Sequence, residues 1–276
     1  MEIRDLSNCS LEEIVFAMLM AFEEYFLKMP SDTTYWKHRY QAARVDWTCS
    51  FGMFDQGELI AFIINGIDER GTHRVAFNTG TGVIKKYRGQ KIVDQLYAYA
   101  FPILQQKGVT CCALEVIQEN SRAVRVYERI GFSITKEYLC FTGKLEVSNY
   151  ETTIHKIDFE KITNPQANWY AWDNSNRAIQ LSSKGTYTCY EVFSLAKEKI
   201  GFFVINEQSG NLPQFEIYKT NQQEDWQLLF DGIAQVSRTI RTINIDAKRT
   251  NILQTLRYLG MENSINQYEM ELKMKP

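Results

Sequence analysis

The chain has 276 residues, more than a typical single domain, and 45% of them are hydrophobic and 13% aromatic. A composition of this kind supports a substantial buried core and argues against disorder. The 31 Lys and Arg residues nearly balance the 33 Asp and Glu residues, giving a formal net charge of −2, so bulk charge gives no reason to expect nucleic acid or an anionic membrane as a partner.

Cysteine and histidine usage argues against a metal site. None of the six cysteines forms a Cys-x-x-Cys pair, and the sequence has only three histidines, so the spacing of metal ligands is absent. Cys111 and Cys112 are neighbours on a predicted strand, and we expect both to be small buried hydrophobic residues. The apolar run Ile14–Phe22 is far shorter than the ~20 residues of a membrane helix and has no basic leader, which predicts a soluble, cytoplasmic protein.

The first elements of the chain are marked by a helix cap and a turn. Ser10-Leu-Glu-Glu13 is typical of a capping box, and apolar residues then recur at helical spacing as far as Phe26. Residues 48–66 predict a hairpin that turns at Asp55-Gln-Gly57.

Strands and helices then alternate. A strand is predicted at 73–84, a helix at about 90–107 and a strand at 109–116. A helix at 122–130 is closed by Gly131, and Phe132 begins another strand that runs to about Leu145. This order predicts a mixed α/β sheet.

The second half of the chain weakly repeats the first. Ile60–Asn65 has a counterpart in Ile200–Asn206, and Gly131 has one in Gly260, each preceded by a helix and followed by a strand. The second copy is shorter where the first has a glycine-containing loop. A polar stretch near Glu146–Thr153 predicts a boundary between domains at 1–146 and 150–276.

A loop between a predicted strand and helix gives the first chemical signal. It reads Thr81-Gly-Val-Ile-Lys-Lys-Tyr-Arg88-Gly-Gln-Lys-Ile-Val-Asp94. The start of a helix presents unpaired N–H groups and the positive end of its dipole, which suit a phosphate or pyrophosphate. Many strand–helix turns carry a glycine, so a plain surface turn explains this segment equally well by itself.

A second segment, residues 114–132, is more specific. Asn120 stands where a helix begins, and Tyr127 lies two helical turns further, on the face shared with Ala123. The pattern Asn-x-x-Ala-x-x-x-Tyr-x-x-x-Gly-Phe, with Tyr-Arg-Gly-Gln about thirty residues earlier, resembles the two main motifs of the GNAT superfamily of acetyltransferases. The resemblance covers about 1–146 in architecture and 76–132 by motif.

The resemblance implies a fold and a cofactor. The fold is a mixed, mostly antiparallel central sheet flanked by helices, with two such domains in tandem, and the co-substrate is acetyl-CoA, with no metal. Backbone of the strand before the loop would pair with the pantetheine arm, and the loop and helix start would surround the pyrophosphate. Asn120 is similar to the family asparagine that contacts the cofactor. The residues implied in the first two roles are Thr81, Gly82 and Val83, followed by Arg88, Gly89, Gln90, Lys91, Ile92, Val93 and Asp94.

Two catalytic residues are implied as well. Tyr127 occupies the position of the tyrosine that protonates the departing CoA thiolate, a role that suits a weak acid on a rigid helix. Glu115 lies at the spacing of the general base in the ribosomal-protein N-terminal acetyltransferases. A packed tyrosine and a solvated or ion-paired glutamate remain the alternatives.

The chain departs from the family pattern at two loop positions. Lys91 replaces a glycine, which costs about 1 kcal/mol if the backbone there is left-handed, and Val93 replaces a smaller residue. In the second copy, alignment places Asn244 at Glu115, Arg249 at Asn120 and Leu256 at Tyr127. That half resembles the degenerate copies of tandem enzymes such as mycothiol synthase and is expected not to bind CoA.

The function implied is transfer of an acetyl group from acetyl-CoA to a primary amine, of a small molecule or of a protein N-terminus or lysine. The alternative is a catalytically silent CoA-binding or protein-interaction module, a reading that Lys91 and Val93 motivate. The sequence does not identify the acceptor amine and leaves a homodimer as an open alternative. Neither nucleic acid nor a membrane is an expected partner.

Overall fold

The computed structural model describes residues 1–24, 28–146, 151–162, 169–219 and 223–274. The chain divides into two compact units, 1–135 together with 268–276, and 136–267. This division differs from the predicted domains, 1–146 and 150–276, in assigning residues 136–146 to the second unit and the last residues of the chain to the first. Residues 147–150 of the predicted boundary and Phe26 of the predicted helix lie outside the described residues.

The first half carries the elements that build the candidate site. In chain order they are β1 Glu2–Asp5, α1 Leu11–Ala21, α2 Thr33–Ala42, β2 Phe51–Asp55, β3 Glu58–Arg70, β4 His73–Val83, α3 Ile92–Gln106, β5 Cys111–Ile117, α4 Ser121–Ile130 and β6 Ser133–Lys144.

The second half repeats this succession. Its elements are β7 Thr152–Lys156, α5 Asn176–Leu181, β8 Thr188–Ser194, β9 Lys199–Asn206, β10 Asn211–Ile217, α6 Gln223–Val236, β11 Thr239–Asp246, α7 Thr250–Tyr258, β12 Glu262–Asn263 and β13 Gln267–Lys273.

Both units confirm a mixed, mostly antiparallel sheet. In the first unit the strand order is β1-β2-β3-β4-β5-β13, with antiparallel pairing from β1 to β4 and parallel pairing between β4 and β5. In the second unit the order is β6-β11-β10-β9-β8-β7, and β10–β11 is the parallel pair. The predicted α/β class is confirmed.

Local signals set the first helix and hairpin as predicted. The Ser10 hydroxyl accepts from the Glu13 backbone N–H (3.2 Å), and the Glu13 carboxylate accepts from the Ser10 N–H (2.7 Å), which completes the capping box. The β2–β3 turn has Gln56 and Gly57 at φ 50° and 89°, the left-handed pair that matches strand twist in a two-residue hairpin.

The core of the first unit forms on both faces of its sheet. Helix α1 buries Ile14, Val15 and Met18 on one face. On the other face α3 covers β2 to β5, and this cluster includes Cys112, which is buried as predicted, as is Cys111. Burying an apolar side chain of this size contributes about 1.5–3 kcal/mol.

The last strand of the chain completes this core. Strand β13 lies beside β5, and its Met270 is fully buried in the same cluster. The Met274 N–H donates to the Thr110 carbonyl (3.0 Å), and Arg70 forms an ion pair with the buried Glu269 (3.3 Å). Within the described ranges, every helix is too short or too polar to cross a lipid bilayer.

Candidate active site

The central feature of the first unit is an opening between its two parallel strands. β4 pairs with β5 only from Val75 to Asn78, whereas it pairs with β3 as far as Val83. Beyond Asn78 the two parallel strands therefore separate. Backbone N–H and C=O groups of the 79–83 segment alternate between β3 and this opening. The groups that face the opening can form hydrogen bonds with an extended ligand, as they would with a neighbouring strand.

A bulge and a buried asparagine produce the separation. Asn65 pairs with Asn78 and Ile64 with Gly80, so Thr79 is the extra residue that redirects β4. The Asn78 amide donates to the Tyr97 hydroxyl on α3 (2.6 Å) and its carbonyl oxygen accepts from the Gly80 N–H (2.9 Å). Sequence reasoning missed Asn78. Its signal was a polar residue directly after the apolar run 75–77, followed by two spaced glycines.

The end of α1 lies directly against β4 at Gly82. A Cβ placed on Gly82 would clash with the Phe62 ring and stand 2.8 Å from the Ala21 Cβ, so only glycine fits there. Arg88 holds this arrangement, because its guanidinium donates to the carbonyls of Ala21 (2.9 Å) and Val83 (3.1 Å). Arg88 thus ties the loop to α1 and β4 through hydrogen bonds within the protein.

The loop after β4 enters α3 through a left-handed residue. Lys91 is the N-cap of α3 with φ 54° and ψ 33°, and it makes no side-chain capping hydrogen bond. The helix accordingly starts at Ile92, two residues after the predicted start at about 90. The first N–H groups of α3 have no intrahelical acceptor and carry the positive end of the helix dipole. The strained geometry considered at Lys91 is therefore present.

An ion pair beside the cleft joins the end of α4 to the start of α3. Arg129 near the end of α4 donates two hydrogen bonds of 2.7 Å to the Asp94 carboxylate in the first turn of α3. These bonds hold the pKa of Asp94 below its usual range. Because Arg129 neutralises it, Asp94 does not oppose an anion at the start of α3.

Helix α4 forms another wall of the cleft. The Asn120 side chain accepts from the Ala123 N–H (3.2 Å) and so caps the helix. Two turns further, the half-buried Tyr127 ring packs edge-on against Tyr97 (centroids 6.5 Å apart) and Phe132 (5.9 Å). These contacts fix the ring, as a residue acting from a helix face requires.

These walls enclose a cleft of about 610 Å³ that gathers most of the predicted site residues. Gln90 and Glu115 are not among its lining residues. The cations that line the cleft outnumber the carboxylates, five to two. The predicted residues that line it are Thr81, Gly82, Val83, Arg88, Gly89, Lys91, Ile92, Val93, Asp94, Asn120 and Tyr127.

Glu115 lies on β5, next to the opening but outside the cleft lining. It follows the buried Leu114 and precedes the buried Val116 in the strand, its side chain is half-buried, and its Oε1 atom is fully enclosed. Its part in catalysis stays a prediction.

The corresponding opening in the second unit is filled by the protein itself. β10 and β11 pair only at Asn211–Arg241, and the buried Tyr170 lies against β10 beyond that point. The Tyr170 hydroxyl accepts from the Phe215 N–H (3.3 Å) and donates to the Glu216 carboxylate (2.7 Å). The strand pairing places Phe215 where the first unit has Thr81.

Arg249 closes that site further. It is the N-cap residue of α7, as Asn120 is of α4, and its guanidinium binds both oxygens of the buried Glu216. Leu256, at the position of Tyr127, is fully buried in the core of its unit. Among the described residues, no group of three or more His, Cys, Asp or Glu side chains is arranged to hold a metal ion.

Part of the first unit matches a known protein family. Residues 15–132 match the acetyltransferase (GNAT) family. N-alpha-acetyltransferase 30 of Schizosaccharomyces pombe is 31% identical over 84 residues, which cover 30% of this chain and 56% of that protein, so the chain spans little more than half the length of this relative.

Solved structures match almost the whole chain in fold. A tandem GNAT protein from the clavulanic acid biosynthesis pathway has a TM-score of 0.71 at 11% identity, covering 100% of this chain and 99% of that one. A putative acetyltransferase from Pyrococcus horikoshii has a TM-score of 0.67 at 14% identity, covering 99% and 89%. The match to the GNAT family lies within residues 15–132 of the first unit, and over the whole chain the similarity to these solved structures is one of fold.

Proposed function

We propose that this protein is an N-acetyltransferase that transfers the acetyl group of acetyl-CoA to a primary amine in the cleft of the first unit. The observation that carries the proposal is the separation of β4 from β5 beyond Asn78, directly in front of the start of α3. An extended arm and an anionic group of one ligand can be held there together.

The residues of the cleft fit acetyl-CoA in three respects. The unpaired edge of β4 at 81–83 suits the amides of a pantetheine arm. The start of α3 and the cations around it suit a pyrophosphate. The loop geometry is fixed by Arg88 before any ligand binds, so little ordering entropy is lost on binding.

The chemistry needs few groups from the protein. The amine nitrogen attacks the thioester carbonyl carbon, the C–S bond breaks, and Tyr127 donates its phenolic proton to the departing thiolate. Glu115, acting through water, would accept the proton released by the amine. Most of the rate would come from holding the amine and the thioester together and from backbone N–H groups that polarise the carbonyl.

A peptide α-amine is the acceptor class we place first. The similarity to N-alpha-acetyltransferase 30 over 84 residues favours it over a small-molecule amine. The alternative of a silent CoA-binding module rests on Lys91 and Val93, which depart from the family pattern in the phosphate loop.

The test replaces Tyr127 with Phe and measures CoA thiol release with short peptides and simple amines as acceptors. Turnover should fall by about 10²–10⁴-fold, the usual contribution of general acid–base catalysis, while acetyl-CoA affinity stays near that of the wild type. The matched control is Tyr99→Phe, because Tyr99 lies on α3 and does not line the cleft. Wild-type protein that binds acetyl-CoA but acetylates no amine would favour the silent module.

A further inference from the structure

Not every cation that lines the cleft forms an ion pair or hydrogen bond within the protein. Arg129 binds Asp94 with both of its hydrogen bonds, and Arg88 donates to two backbone carbonyls. Arg122 and Arg125 differ. Both are exposed, both line the cleft, and neither has an ion pair or hydrogen bond to another described residue.

The two arginines form a pair on one element of the cleft. They stand three residues apart on α4, so their side chains share one face of the helix. They belong to its first two turns, where the positive end of the helix dipole adds to their charge. Like charges at this spacing on a helix repel each other, and a bound dianion would relieve that repulsion.

The pair lies on a different element from the start of α3. Lys91 precedes α3, whereas Arg122 and Arg125 lie on α4, and all three residues line the cleft. A CoA molecule carries a third phosphate, the 3′-phosphomonoester of its ribose. A phosphomonoester carries a charge of about −1.5 to −2 at pH 7 and offers three acceptor oxygens, which match two arginine forks.

We propose that Arg122 and Arg125 bind the 3′-phosphate of the CoA nucleotide and make this protein selective for CoA thioesters over thioesters that lack that group. The inference rests on the proposed function, since it assigns a subsite of the same cofactor. It adds a specificity determinant that the start of α3 does not supply.

The experiment measures the calorimetric affinity of acetyl-CoA and of 3′-dephospho-acetyl-CoA for wild type, Arg122→Gln, Arg125→Gln and the double variant at low salt. Wild type should prefer acetyl-CoA by about tenfold or more, as expected for charge-assisted pairs. Each single variant should weaken acetyl-CoA and leave the dephospho compound unchanged, and the double variant should bind both equally. Raising the salt should shrink the wild-type preference.

The control is Arg177→Gln, which makes the same charge change at an exposed arginine on α5 in the second unit. It should leave both affinities unchanged. Equal wild-type affinity for the two ligands, or variants that weaken both ligands alike, would overturn the inference while leaving the cofactor assignment intact. Failure of both ligands to bind would overturn the proposed function and the inference with it.

Discussion

The Asn78 amide donates a hydrogen bond of 2.6 Å to the hydroxyl of Tyr97, which joins the bulge of β4 to the middle of α3 beneath the cleft. Both side chains are buried, and burial raises the pKa of Tyr97, so this phenol stays protonated and serves as a fixed partner. This hydrogen bond to α3 thereby positions β4, the strand that would bind the cofactor.

Asn78→Ala should therefore lower both the stability of the fold and the affinity of the cleft for acetyl-CoA. Removing the amide takes this partner from a buried hydroxyl, which costs about 1–3 kcal/mol in the free energy of unfolding, and acetyl-CoA affinity should fall as well. Tyr97→Phe removes the other partner. Urea unfolding of both single variants and the double variant checks the coupling: the double variant should lose less than the sum, and strict additivity would show that the two groups act independently.

The Arg129–Asp94 pair predicts opposite effects for its two members. Arg129→Gln leaves an uncompensated carboxylate at the start of α3 and should weaken acetyl-CoA binding. Asp94→Asn removes that negative charge and should leave binding equal or stronger, most clearly at low salt. Calorimetry at two salt concentrations measures both. If Asp94→Asn weakened binding as much as Arg129→Gln, the pair would act through structure and not through charge.

The same pair gives stability a pH dependence of known sign. Its hydrogen bonds lower the pKa of Asp94 in the folded protein. The stabilisation is therefore present above the unfolded pKa of about 3.9 and is lost as the pH falls through the lowered folded value.

Substitutions at Lys91 separate the effect of backbone strain on stability from the effect of charge on acetyl-CoA binding. Lys91→Gly should relieve the left-handed conformation and stabilise the fold by up to about 1 kcal/mol, whereas Lys91→Ala keeps the strain and removes only the charge. Lys91→Glu places like charge beside the phosphate site and should weaken acetyl-CoA binding far more than either, with a penalty that shrinks as salt screens it. Thermal unfolding and calorimetry on the three variants check this. Tight acetyl-CoA binding by Lys91→Glu would remove Lys91 from the phosphate site.

The C-terminal strand should control the stability of the first unit. Met270 is fully buried in the core beneath α3, so Met270→Ala should cost about 2–5 kcal/mol and lower the unfolding transition of the unit that carries the cleft. Met261→Ala is the matched change in the core of the second unit. Acetyl-CoA should raise the transition that Met270→Ala lowers. If that transition responds to Met261→Ala instead, the C-terminal strand does not stabilise the first unit.

Local signals predicted most of what lies between residues 10 and 132. The capping box, the hairpin turn, Gly131 and the spacing from Asn120 to Tyr127 each depend on neighbours a few residues away, and the structure has each as predicted. The grouping of β13 with the first unit depends on contacts between residues more than a hundred positions apart, which no local pattern reports. The role of Asn78 was missed for the same reason, because its partner Tyr97 lies on another element. Neither the hydrophobic periodicity nor a sequence motif predicts that Tyr170 fills the opening in the second unit.

The most direct test of the account is a calorimetric titration of the full chain with acetyl-CoA. The open cleft in the first unit and the opening filled by Tyr170 and Arg249 in the second predict one molecule bound per chain. The double variant Arg122→Gln with Arg125→Gln should keep that stoichiometry at lower affinity. Two equal sites, or no binding at millimolar acetyl-CoA, would contradict the assignment of the cleft.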